Sequence, residues 1–141
     1  MAKKTVFVSF DYENDRRYKY LMEAWDAHSG FEFYFSDRSS GEINSWNIPT
    51  IKAALTRKIK SARYTFVIVG KEANKLHKYW REIGHRNWIN FEIYQSKLNN
   101  NKLVAIKLDA RYESPEELLG SGAVWARSFT KDSILRALNS I

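Results

Sequence analysis

Trp88 and Glu92 stand four residues apart in the segment NWINFEIYQSKL. On a helix that spacing brings an indole and a carboxylate to one face, within reach of a single ligand. An aromatic plate beside a carboxylate suits a substrate that carries a flat base and ribose hydroxyls. Two further stretches hold polar side chains of use to such a ligand: Phe10, Asp11, Tyr12 and Asn14 after the run TVFVSF, and Ser36, Asp37, Arg38, Ser39 and Ser40 after FEFYF. Each feature also has an ordinary explanation. Trp88 with Ile89 and Ile93 fits a core stripe, Glu92 fits a solvated helix residue or an arginine's partner, and SDRSS is common turn chemistry.

Other chemistries are missing. Neither GxGxxG nor GxxxxGK occurs, so the glycine-rich phosphate cradles are absent. His28, His77 and His85 are far apart, lack the HExxH spacing and have no cysteine to complete a zinc site, so no metal is expected. With 0 cysteines, disulfides and thiol catalysis are excluded. A phosphoacceptor receiver domain needs an aspartate at the end of its third strand, where this chain has Val69, Gly70 and Lys71.

The elements that must position these residues alternate between strand and helix. TVFVSF (5 to 10), FEFYF (31 to 35), YTFVIV (64 to 69), LVAIKL (103 to 108) and VWARSF (124 to 129) read as strands. Between the first two, Asn14 or Asp15 is expected to cap a helix with Tyr18, Leu21, Met22 and Trp25 on its buried stripe, ended by Gly30. Pro49 suits the first turn of a helix that buries Ile51, Leu55 and Ile59. Residues 70 to 86 form a basic connection, part of it helical, before Asn87 caps WINFEIYQSKL and NNN stops it. Ser114, Pro115 and Glu117 have the spacing of a capping box, and Thr130 can cap a terminal helix carrying Ile134, Leu135 and Leu138. Five alternations imply parallel pairing through right-handed crossovers. The expected fold is α/β, a three-layer flavodoxin-like sandwich with a central five-stranded parallel sheet of order 2-1-3-4-5, and its ligand site lies beyond the carboxyl ends of the strands.

A length of 141 residues fits one domain, 1-141, and 44% apolar with 15% aromatic residues supplies a core. The net charge of +7 admits anionic partners, but without a readout motif or a contiguous basic helix nucleic acid ranks last. The amino terminus holds no signal-peptide apolar region, and no run approaches the roughly 20 residues of a membrane helix. A cytoplasmic protein with no membrane partner is expected.

VFVSFDYEND, YTFVIVG and NWINFEI followed by KLVAIKL resemble TIR-like domains, specifically the flavodoxin-like branch found in bacterial Thoeris antiphage systems, over nearly the whole chain. Trp88 and Glu92 match the tryptophan and catalytic glutamate of TIR domains that cleave NAD. The RDxxPG box of signalling TIR domains is replaced by SDRSSGEINSW, and the C-terminal FW box is not evident. The resemblance implies an NAD glycohydrolase or ADP-ribosyl cyclase that uses NAD as substrate, without a cofactor, to make a signal nucleotide. It implies Glu92 as the catalytic residue and Trp88 packed against substrate. Phe10, Asp11 and Tyr12 would line the ribose and diphosphate side and Asp37 and Ser39 the nicotinamide half, with Ser36 and Asn87 in the same substrate-binding set. Its implied partners are further copies of the chain, a phage trigger and a separate effector activated by the product. The alternative is a non-enzymatic interaction or nucleotide-sensing module that uses aromatics such as Tyr79, Trp80 and Trp125.

Overall fold

The computed structural model describes residues 4 to 27, 33 to 35 and 47 to 141. In chain order the elements are β1 (Lys4–Ser9), α1 (Tyr12–Ala27), β2 (Phe33–Phe35), α2 (Ile48–Lys60), β3 (Tyr64–Val69), α3 (Trp80–Ile83), α4 (Trp88–Leu98), β4 (Lys102–Lys107), a 3-10 turn (Glu116–Leu118), β5 (Val124–Ala126) and α5 (Lys131–Asn139). The sheet runs β2-β1-β3-β4-β5, and every pairing in it is parallel. The α/β class and the parallel sheet agree with the alternation in the sequence.

Side chains alternate across a strand, and the sheet accordingly separates two cores. Val6, Val8, Phe10, Phe66, Ile68, Val104 and Ile106 pack with Met22 of α1 and Ile134 and Ala137 of α5. On the other face Val67, Val69, Leu103 and Ala105 meet Ile89 and Ile93 of α4. Phe7 meets Ile51, Leu55 and Ile59 of α2 together with Ile83 and Phe91. Burying each of these large apolar side chains contributes about 1.5–3 kcal/mol, so the two faces hold the helices firmly against the sheet.

Capping follows local chemistry at three helices. Asn47, Asn87 and Thr130 accept from the backbone N–H groups of Thr50, Asn90 and Ser133 at the starts of α2, α4 and α5. Three expectations need correction. The first helix starts at Tyr12, capped by Asp11 rather than Asn14 or Asp15: Asp11 Oδ1 accepts from the Glu13 N–H at 3.1 Å, and the Asp15 N–H closes the first turn onto the Asp11 carbonyl at 2.7 Å. Leu21 is exposed, whereas Met22 is buried with Tyr18 and Trp25 packed alongside. Ser114 caps nothing. Its hydroxyl accepts from Lys107 Nζ at 3.2 Å, and the segment makes only a 3-10 turn whose Glu116 and Glu117 N–H groups are taken by the Asn74 and Asn90 side chains. Gly30, the expected helix stop, and His28 lie outside the described residues.

Candidate active site

α4 descends from the carboxyl edge of the sheet, and its buried residues include Ile89, Glu92, Ile93 and Ser96, the i, i+3, i+4, i+7 stripe of a helix laid on a sheet. Two polar residues therefore replace apolar ones in a core stripe. Ser96 bonds Thr65 of β3 across 2.7 Å. Glu92 is 1% exposed and receives a hydrogen bond from the Ser9 hydroxyl, 2.6 Å to Oε1. Ser9 is the last residue of β1 and pairs in register with Val67 of β3. Glu92 Oε2 is buried with no hydrogen-bond partner.

That environment sets the proton affinity. Loss of water around the carboxyl pushes it up to about 8, against the smaller downward pull of the Ser9 hydrogen bond. Without a ligand, Glu92 is therefore a neutral acid at neutral pH, seated at a sheet edge. A group so strongly perturbed by desolvation is a marker of a functional position.

Trp88 lies one turn before Glu92. It is half-buried, meets Phe91 edge to face with ring centroids 5.7 Å apart, and packs against the α2 side of the core. Asn87 is fully engaged. Its Oδ1 accepts from the Asn90 backbone N–H and from Asn90 Nδ2, while its Nδ2 donates to the carbonyls of Ala73 and Lys75, each at 2.9 Å. With no spare donor, Asn87 positions the helix and the basic connection rather than standing ready for a substrate. Asn74 extends this network: its Oδ1 accepts from Asn90 Nδ2 and its Nδ2 donates to Glu113 Oε1. Arg86 Nε also reaches the Asn74 carbonyl at 2.6 Å.

The first loop is placed differently from the expectation. Phe10 is buried in the α1 and α5 core, on the opposite side of the sheet from Glu92, so its side chain does not line a shared face with Glu92. Asp11 is half-buried, and Asn14 Nδ2 donates to its Oδ2 at 2.7 Å, so the carboxylate is occupied in capping α1. Tyr12 is half-buried, with the Arg16 guanidinium 5.0 Å above its ring. Ser36, Asp37, Arg38, Ser39 and Ser40 lie outside the described residues. Two residues of this edge were not foreseen as ligand-site groups. Ser9 is a buried hydroxyl at the end of the β1 face that also carries Thr5 and Phe7, and Asp15 is buried in the first turn of α1 with Oδ2 unpartnered.

Among the described residues no group of three or more His, Cys, Asp or Glu side chains is arranged to hold a metal ion. No helix among them is long and apolar enough to cross a membrane. A shallow groove beside Trp125, Arg127 and Arg136 on the β5 and α5 side shares no residue with the Glu92 edge.

Among solved structures, the chain is similar to the TIR domains in the structure of the activated Roq1 resistosome directly recognizing the pathogen effector XopQ. The identity is 17% and the TM-score 0.44, over 76% of this chain and 60% of that one. No match was found among curated proteins. The sequence profile of the family described as Thoeris protein ThsB, TIR-like domain, matches residues 7–113, a span that holds Ser9, Asp15, Gly70, Trp88 and Glu92. With about three quarters of its length matched, the chain belongs to the TIR-like domain family of the Thoeris protein ThsB.

Proposed function

We propose that this domain cleaves NAD at the bond between nicotinamide and ribose and uses the ADP-ribosyl group to make a signal nucleotide in antiphage defence. Glu92 is the catalytic residue in this reading. The observation that carries it is a carboxyl buried at the carboxyl edge of a parallel sheet, with one oxygen held by Ser9 and the other unpartnered.

The chemistry follows from the leaving group. Nicotinamide departs from NAD as a neutral molecule by taking the bonding electron pair, so no acid is needed to protonate it. Positive charge builds on the ribosyl carbon and ring oxygen, as in glycoside hydrolysis, and the site must offset it. Glu92 does so once ionised, and its oxygens accept from the ribose hydroxyls. A buried neutral acid becomes a carboxylate when a cationic group arrives beside it, and the Ser9 hydroxyl favours the same ionised form. Substrate binding therefore releases a proton from the resting enzyme. Trp88, one helical turn toward the edge, packs against the substrate and excludes water that would otherwise quench the cation. No cofactor takes part.

Glu92 is 1% exposed, so substrate reaches it only as the side chains packed around it shift. The reading is of a cytoplasmic enzyme whose turnover awaits a phage trigger or assembly with further copies of itself, and whose product activates a separate effector. Incubation with NAD, alone and with lysate from phage-infected cells, tests this. Nicotinamide release lost in Glu92→Ala supports the assignment, and release unaltered by that change overturns it.

One observation favours a second reading, a non-enzymatic interaction module. Leu76, Tyr79 and Trp80 are exposed together on the ordered basic connection, with Lys78 stacked on Tyr79 and Arg81 on Trp80. In that case Glu92→Ala preserves function, whereas Tyr79→Ala and Trp80→Ala abolish it.

A further inference from the structure

Asp15 is a second buried carboxyl at the same sheet edge. It is 6% exposed, its Oδ2 has no hydrogen-bond partner, and it lies against Gly70, the residue that follows β3. A Cβ added at Gly70 would come within 2.6 Å of Asp15 Cγ, so the backbone there is bare to admit the carboxyl. Burial first, and then the charge of Asp11 one turn away, lift this group to about 6. An unpartnered buried carboxyl costs folding free energy and contributes nothing to the core. A group of this kind is available to a ligand that reaches the sheet edge.

Among the described residues, Asp15 and Glu92 are the two side chains whose buried oxygens lack a partner. They flank the ends of β1 and β3 from opposite sides, Asp15 on α1 and Glu92 on α4. The chain passes from β1 outward to β2 and then returns to place β3 on the other flank of β1. The strand order thus reverses between β1 and β3, the crevice in which open parallel sheets bind ligands. A carboxylate that accepts from ribose hydroxyls is a recurring device for holding a nucleoside there. NAD has two ribose diols, and this edge has two carboxyls, each with one buried oxygen that lacks a partner.

We infer that Asp15 is a substrate-binding residue that accepts from the hydroxyls of the second, adenosine-side ribose, so that the site selects dinucleotides over mononucleotides. The inference rests on the NAD reading above, in which Glu92 takes the nicotinamide ribose.

Calorimetric titration of NAD and of nicotinamide mononucleotide, which lacks the adenosine ribose, tests it in the Glu92→Gln background, where turnover is stopped and the site keeps its shape. Adding Asp15→Asn is expected to weaken NAD roughly 10–100-fold, the worth of a hydrogen bond to a charged group, and to leave the mononucleotide unchanged. The same substitution is expected to raise the melting temperature at pH 8, which a merely structural acid would lower. Equal weakening of both ligands, no weakening of NAD, or a lower melting temperature overturns the inference. Undiminished NAD cleavage by Glu92→Gln alone overturns instead the reading on which it rests.

Discussion

Replacing Glu92 by glutamine should change how stability depends on pH, and the structure sets the size of the effect. An ordinary glutamate carboxyl titrates at 4.5 and Glu92 in the folded protein at about 8. Between these values the unfolded chain has released the proton and the folded chain has kept it, so stability falls by about 1.4 kcal/mol per pH unit. The contribution is fully present below the lower value and is lost as pH rises through the upper one. From pH 5 to 8 the wild type should therefore lose about 4 kcal/mol on account of this side chain. Glutamine has the same shape and no proton to lose. Its amide adds a desolvation cost that does not vary with pH, and the titration of Asp15, common to both proteins, cancels in the difference. Urea unfolding of the two proteins across that range reads the gap directly. Glu92→Gln should gain on the wild type steadily with pH, and a gap that stays constant would refute the argument that burial holds this carboxyl neutral.

Three other substitutions probe the same edge. Gly70→Ala should destabilise the wild type strongly and the Asp15→Ala protein little, because the added methyl meets the carboxyl; a double-mutant cycle by chemical denaturation with no coupling would contradict the close approach. Asn87→Ala removes a helix cap and strands the Ala73 and Lys75 carbonyls, a cost of about 2–4 kcal/mol, with faster amide exchange expected across residues 73 to 90. Ser9→Ala deletes the one hydrogen bond that lowers the Glu92 proton affinity, so the side-chain carbon resonance of Glu92, followed by NMR against pH, should titrate higher than in the wild type.

What the sequence disclosed was what local chemistry decides. Asn87 and Thr130 each cap the helix they precede, a contact made within three residues. The continuous apolar run YTFVIV marks a strand covered on both faces, and β3 is flanked by β1 and β4. Ile51, Leu55 and Ile59 lie on one buried face because their spacing allows nothing else. The site itself depends on partners distant in sequence. Ser9 and Glu92 are 83 residues apart, and no spacing rule reveals that the hydroxyl ending one strand meets the carboxyl of a later helix. The same holds for Asp15: read as a helix cap, it turns out to be an acid buried against Gly70, because Asp11 had already taken the capping position. The capping box at Ser114 failed for a related reason. Asn74 and Asn90, brought in by the fold, satisfied the amides that Ser114 would have capped.

NAD cleavage by way of Glu92 is tested most directly in cells that express the protein and are infected with phage, with nicotinamide and ADP-ribose-derived nucleotides followed by mass spectrometry. The wild type should deplete NAD and accumulate such a nucleotide as infection proceeds, and Glu92→Gln, expressed at the same level, should do neither. Equal NAD depletion and the same nucleotide in both strains would contradict the account.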